Sequence, residues 1–97
     1  MVENIQSIQE KLTPIFKNYG VKKAVLFGSY AKGCECENSD IDIMVDSGLK
    51  GLDFFGLLGD VCDNMIKQVD LIDTSQVVKG SKIEKEIKEA GVLIYGK

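Results

Sequence analysis

The first part of the chain carries apolar residues at helical spacing. Pro14 falls inside this stretch and, with Thr13 ahead of it as an N-cap, is expected to start a separate turn. Gly20 suits the left-handed position that ends a helix. The sequence therefore predicts a first helix from Glu3 to about Asn18. Its apolar face consists of Ile5, Ile8, Leu12, Ile15 and Phe16.

Four short apolar stretches read as strands. The continuous run inside 22–27 is typical of a buried central strand, and Asp40–Val45 alternates polar and apolar residues. Residues 69–73 and 92–95 predict two further strands. A capping box beginning at Ser81 predicts a helix that ends near Gly91, and Asp53 is expected to cap another helix.

The order of these elements predicts the fold class. Counting one helical turn at Tyr30–Lys32, helices and strands alternate along the chain, which indicates an α/β layer fold. The short link between the first two strands favours antiparallel neighbours, so the small sheet is expected to be mixed and covered by helices. The length of 97 residues suits a single domain spanning 1–97.

Two aspartates on the second predicted strand stand out. Asp40 and Asp42 are two residues apart, so they share one face of the strand with their stems about 6.6 Å apart. At an effective dielectric of about 20, two carboxylates at that separation repel by roughly 2.5 kcal/mol. Charges at a sheet edge are the alternative explanation. The apolar opposite face and the turn upstream favour a site for a divalent cation such as Mg²⁺.

The turn upstream is a Gly-Ser pair. Gly28 would let a phosphate approach the backbone, while Ser29 and the following amides would donate hydrogen bonds to it. Lys32 lies one helical turn further on and could reach the outer phosphates, although a solvated surface lysine fits equally well. A plain turn with a helix cap remains the alternative for an isolated Gly-Ser pair.

The third predicted strand offers one more carboxylate. If this strand pairs beside the second, Asp70 can complete an acidic set with Asp40 and Asp42. Asp73 falls on the other face by strand parity and is expected to cap the following turn.

Composition narrows the chemistry. All twelve basic residues are lysine and histidine is absent, so any general base is a carboxylate or a lysine. The net charge of −3 with scattered lysines argues against direct nucleic-acid binding. No apolar run is long enough for a membrane span, and the N-terminus does not resemble a signal peptide, which predicts a cytoplasmic location. Cys34, Cys36 and Cys62 are too few for a zinc site without histidine and are interpreted as reduced, incidental thiols.

The pattern of Gly28-Ser29, Asp40-Ile41-Asp42 and a later Asp70 resembles the nucleotidyltransferase superfamily of the DNA polymerase beta type. The short length and the run Phe-Gly-Ser-Tyr-Ala-Lys-Gly resemble, more narrowly, the minimal nucleotidyltransferases that act as antitoxins. The resemblance implies that the three aspartates bind Mg²⁺ and that Gly28-Ser29 hold the triphosphate of ATP. Lys32 stands where family members commonly carry arginine.

The resemblance also implies a function. We expect an acceptor hydroxyl to attack the α-phosphorus of ATP, with one Mg²⁺ on the phosphates, a second near the acceptor, and Asp70 orienting or deprotonating that hydroxyl. The acceptor is expected to be a tyrosine of a partner HEPN-type toxin, which makes the chain an antitoxin. Two alternatives remain: a non-catalytic module that neutralises its partner by covering it, and transfer to a small molecule. The oligomeric state, homo- or hetero-oligomeric, is left open.

Overall fold

A four-stranded mixed sheet forms the centre of the fold. The computed structural model describes residues 4–28, 40–65 and 67–96. The strands are β1 Lys23–Phe27, β2 Ile41–Asp46, β3 Val69–Asp73 and β4 Val92–Tyr95. Strand β2 runs antiparallel to β1 and parallel to β3, and β1 also pairs antiparallel with β4, so the order is β3-β2-β1-β4. The mixed sheet predicted from the sequence is therefore confirmed.

Helices cover both faces of this sheet. Helices α1 (Ile5–Asn18) and α2 (Leu52–Asp63) pack on one face, where the buried core lies. Helix α3 (Lys82–Ala90) contacts β1 on the opposite face, and its Ile87 lies in one groove with Met44 of β2. The residues of the core that are fully shielded from solvent include Ile8, Leu12, Leu26, Ile41, Ile43, Leu57 and Ile94.

Helix α1 differs from its prediction at one point. The helix continues through Pro14 instead of ending before it, so no separate turn begins there. Thr13 caps nothing, because its hydroxyl donates to the carbonyl of Gln9 at 2.6 Å, one turn back in the same helix. The buried apolar face of α1 holds the helix together across the proline. The left-handed Gly20 ends the helix as expected, with a φ of 72°.

The predicted cap of α2 is also wrong. The helix begins at Leu52 after Gly51, so Asp53 lies in the first turn and its side chain does not cap the helix. Gly51 has a φ of 58° and starts the helix by its backbone conformation. At α3, Ser81 accepts from the Glu84 amide at 3.3 Å, which confirms the predicted start.

Gly59 in the middle of α2 is expected to be replaceable by alanine with a gain in stability. A Cβ built there meets no atom within 4 Å among the described residues, and its φ is not positive. Gly59→Ala removes the entropic cost of a helical glycine and should raise the free energy of unfolding by about 0.5–1 kcal/mol. Urea denaturation measures this. Gly91→Ala is the contrasting variant, because its Cβ would lie 2.8 Å from Val25 Cγ1, and it should destabilise.

Two predicted segments lie outside the described residues, so they stay predictions: the helical turn at Tyr30–Lys32 and the loop from Cys34 to Asn38. Within the described part of the chain, no helix is long and apolar enough to cross a membrane.

Candidate active site

The pairing of β2 with β3 brings two of the predicted carboxylates together. The strands run parallel with Asp42 directly opposite Asp70, so both side chains lie on the same face of the sheet. Their carboxyl groups lie close enough for the charge of Asp70 to act on Asp42. The condition set by the sequence, that the third strand lies beside the second, is met.

Asp42 is the member of this pair whose charged form is destabilised. It is half-buried, and burial raises its pKa from 3.8 to about 6, helped by the charges of Asp70 and Asp40, the hydrogen bond with Asp70 and the charge of Glu86. A carboxylate with a raised pKa takes up a proton near neutral pH or attracts another cation. The surroundings of Asp42 therefore favour a bound positive charge.

Asp40 is placed differently from the other two. It precedes β2 and is exposed, and its charge contributes to the raised pKa of Asp42. No group of three acidic, cysteine or histidine side chains within residues 4–28, 40–65 and 67–96 is arranged to hold a metal ion. The convergence of all three aspartates around one ion stays a prediction, and the structure as it stands brings two of them into contact.

Gly28 lies against the acidic pair. Phe27 pairs with Asp42 across β1 and β2, so the next residue turns over the Asp42 side chain. A Cβ at Gly28 would overlap Oδ2 of Asp42 and lie 3.3 Å from its Cγ, and the φ of 74° also disfavours other residues. Glycine is required here by both the backbone conformation and the space. That a phosphate approaches the backbone at this turn stays a prediction.

Gly28→Ala is expected to abolish activity and to weaken the fold. The added methyl group must displace the Asp42 carboxylate, and the positive φ adds strain of order 1 kcal/mol or more. We expect nucleotide transfer to fall by at least about 100-fold, since a 1 Å displacement of catalytic groups can cost that much. A transfer assay beside thermal denaturation measures both effects. Gly48→Ala, also at positive φ but with nothing within 4 Å among the described residues, controls for strain alone.

A cavity opens over the two carboxylates. Its volume is about 420 Å³, and it extends from Asp42 and Asp70 around the β3 edge to Leu58 of α2. Apolar side chains form most of the remaining wall. They are Phe27, Val69, Leu71, Ile72 and Ile83.

Helix α3 contributes residues that the sequence did not point to. Ile83 lines the cavity, and the charge of Glu86 helps to raise the pKa of Asp42. The capping box located this helix correctly but gave no information on what it packs against. Only the tertiary arrangement, with α3 on the face that carries Asp42, could have identified both residues.

The remaining residues that the sequence singled out lie outside the described residues or are not part of the acidic pair. Ser29 and Lys32 lie outside the described residues, as do Cys34 and Cys36. Cys62 is an exposed free thiol on α2, and its Sγ lies 4.0 Å from the carbonyl oxygen of Val69, a residue of the cavity wall. Asp73 is buried on the other face of β3 and caps a short 3-10 helix, Thr74–Gln76, as predicted.

The donor set suits a hard divalent cation. Asp42 and Asp70 present oxygen atoms on adjacent strands, and their mutual repulsion contributes to the raised pKa of Asp42. Mg²⁺ is commonly held by one or two carboxylates together with substrate phosphates. The two carboxylates fit such an ion.

The fold and the acidic pair define an α/β domain of the nucleotidyltransferase class. The family model described as "Polymerase beta, Nucleotidyltransferase" matches residues 10–97, and the chain belongs to this family. A relative from Methanocaldococcus jannaschii is 38% identical over 76 residues, which is 76% of this chain and 82% of that protein. Its name gives it an inferred protein adenylyltransferase activity.

Solved structures share the fold. A toxin-antitoxin crystal structure with AMP-PNP superposes with a TM-score of 0.75 at 24% identity, covering 92% of this chain and 73% of that one. The MNT antitoxin in complex with a tri-AMPylated HEPN toxin from Shewanella oneidensis gives a TM-score of 0.70 at 21% identity, covering 96% and 73%. At these identities the likeness establishes the α/β architecture predicted from the sequence.

Proposed function

We propose that this nucleotidyltransferase transfers AMP from ATP to a hydroxyl group of a partner protein. The observation that carries the proposal is the contact between Asp42 and Asp70 on adjacent parallel strands, inside a cavity next to Gly28. The name of the archaeal relative supports a protein acceptor. The solved complex with AMP-PNP supports an adenine nucleotide.

The candidate site residues would have different parts in this reaction. Asp42 and Asp70 would hold Mg²⁺, with Asp40 as the predicted third carboxylate, and the ion would neutralise charge on the phosphates when bound. Gly28 is proposed to let the triphosphate approach the backbone beside the Asp42 carboxylate, which lies against this glycine. Ser29 and Lys32 are proposed to donate to the phosphates.

The bond changes follow from the roles of these residues. The acceptor oxygen forms a bond to the α-phosphorus of ATP, the bond from that phosphorus to the bridging oxygen breaks, and pyrophosphate leaves. Asp70 is the exposed member of the carboxylate pair, so it is accessible to orient the acceptor hydroxyl and to take its proton. The proton then passes to solvent.

The acceptor is proposed to be a tyrosine of a HEPN-type toxin, which would make this chain its antitoxin. The tri-AMPylated HEPN toxin in the Shewanella oneidensis complex is the support for this partner. The cavity beside the carboxylates has mainly apolar walls, which suits an aromatic side chain better than a polyamine or a sugar.

Co-expression with a HEPN-type toxin, followed by intact-mass spectrometry, tests the proposal. We expect the partner to gain the mass of AMP only with ATP, Mg²⁺ and the wild-type chain. Asp70→Asn is the matched variant and should leave the partner unmodified. An unmodified partner with the wild-type chain would contradict the proposal, and failure of the isolated chain to bind Mg·ATP would favour the occluding module.

A further inference from the structure

The solvent-facing side of α2 carries apolar residues that nothing in the described structure covers. Leu52 is 88% exposed and Phe55 is 69% exposed. They lie three residues apart on the helix, so they are neighbours on one face. Burying large apolar side chains of this kind is favourable, and leaving them in water forgoes that gain.

Two glycines make this face of α2 shallow. Among the described residues, a Cβ built at Gly59 would meet no atom within 4 Å. A Cβ built at Gly56 would meet only the Tyr19 side chain, 3.4 Å from its hydroxyl oxygen. Neither position needs glycine for its backbone angle. The absence of side chains here leaves a depression beside Phe55 into which the ridge of another helix can fit.

The surface continues into the cavity of the candidate active site. Leu58 is one turn from Phe55 on α2 and forms part of the cavity wall together with Asp42 and Asp70. A molecule seated on the exposed face of α2 would therefore lie next to the mouth of the cavity. The exposed face of α2 is therefore adjacent to the candidate active site.

The charged side chains on α2 itself are all acidic. Asp53, Asp60 and Asp63 are all exposed, and α2 contains no lysine. Two copies of this chain meeting through α2 would place these aspartates against one another, which disfavours a symmetric dimer. A partner with apolar residues flanked by lysine or arginine would be complementary.

We infer that the exposed face of α2, with Leu52 and Phe55 at its centre, docks a basic amphipathic helix of the protein that accepts AMP. The inference rests on the proposed function for the identity of that protein. Apolar contacts to Leu52 and Phe55 supply affinity, and the surrounding aspartates select a basic partner and exclude a second copy. The docked helix holds the partner so that an acceptor side chain enters the cavity past Leu58.

Phe55→Asp and Val78→Asp form a matched pair for testing this surface. Val78 has the same exposure as Phe55, 69%, but lies between β3 and α3, next to Val77, which shares a groove with Ile87 of α3. Each variant is titrated with the same HEPN-type toxin, and the affinity of the complex is measured by calorimetry. We expect Phe55→Asp to weaken binding at least about 10-fold, as expected for an aromatic anchor, and Val78→Asp to leave it within about 2-fold.

A second readout separates this inference from the proposed function. The rise in melting temperature caused by Mg·ATP should be the same in Phe55→Asp as in the wild-type chain, because the variant leaves the carboxylates untouched. A complex that Phe55→Asp leaves at wild-type affinity, or a wild-type chain that forms no complex, would overturn the docking surface. A dimer of this chain alone that Phe55→Asp dissociates would also overturn it. A complex that forms through α2 without AMP transfer would sustain the surface and contradict the proposed function.

Discussion

Asp42→Asn is expected to abolish nucleotide transfer and, at the same time, to make the chain more stable. Asparagine keeps the shape of the side chain but removes the charge that a metal ion needs. Even indirect partners of metal ligands change activity by about 10–100-fold, so we expect a loss of at least about 100-fold. Mass spectrometry of the co-expressed partner measures the activity, and thermal denaturation measures the stability.

The gain in stability follows from the raised pKa of Asp42. Burial and neighbouring acids raise it to about 6, so above pH 6 the folded protein carries a charge that is more favourable in the unfolded chain. Because the side chain is partly exposed, solvent screening reduces the effect to about 1 kcal/mol, or a melting temperature roughly 4–8 °C higher for the variant.

The stability gain of Asp42→Asn is expected to increase with pH. The destabilising contribution of Asp42 is present above its folded pKa of about 6 and disappears as the pH falls toward its unfolded value of 3.8. The advantage of Asp42→Asn should therefore be largest at pH 8 and small at pH 4. Asp46→Asn, on the same strand, is the control and should show neither effect. An Asp42→Asn variant with wild-type turnover would contradict the assignment of the metal site.

Asp73→Ala is expected to have the largest effect on stability. Asp73 is buried, and its carboxylate accepts four hydrogen bonds: from the amide and hydroxyl of Ser47 at 3.1 and 2.6 Å, and from those of Ser75 at 3.0 and 2.7 Å. The variant leaves buried donors without an acceptor. We expect the free energy of unfolding to fall by about 2–4 kcal/mol, measured in urea.

The stabilising role of Asp73 should also appear at low pH. Burial alone would raise its pKa, but the hydrogen bonds from Ser47 and Ser75 outweigh burial and lower the pKa to about 2. Its contribution is therefore present above about pH 4 and is lost as the pH falls through 2. Glu89→Ala at an exposed position of α3 is the control, with an expected change within about 0.5 kcal/mol. If Asp73→Ala matched that control, the hydrogen bonds would not stabilise the fold.

Asp42 and Asp73 show that strand periodicity predicts the face of the sheet on which a side chain lies. Parity alone separated Asp70 from Asp73, and the structure places them on opposite faces of β3, one exposed and one buried. The same rule placed Asp42 opposite the apolar face of β2. Because side chains alternate at every residue, a correctly located strand fixes which face each aspartate occupies.

Local signals were weaker where packing competes with them. Pro14 predicted a break in α1, yet the apolar face of that helix is buried and keeps it continuous. Asp53 is a good capping residue, but the positive φ of Gly51 starts α2 two residues earlier. In both places the tertiary structure overrode a preference worth only about 1–3 kcal/mol.

The sequence by itself determined the α/β class, the boundaries of β3 and β4, and the face of the sheet on which the acids lie, because these depend on periodicities along one chain. Only the tertiary structure decided that Asp42 contacts Asp70, that α3 brings Glu86 and Ile83 to the site, and that Leu52 and Phe55 remain uncovered. Those facts depend on distances between elements far apart along the chain. Such distances are set by packing and strand order, which no local pattern records.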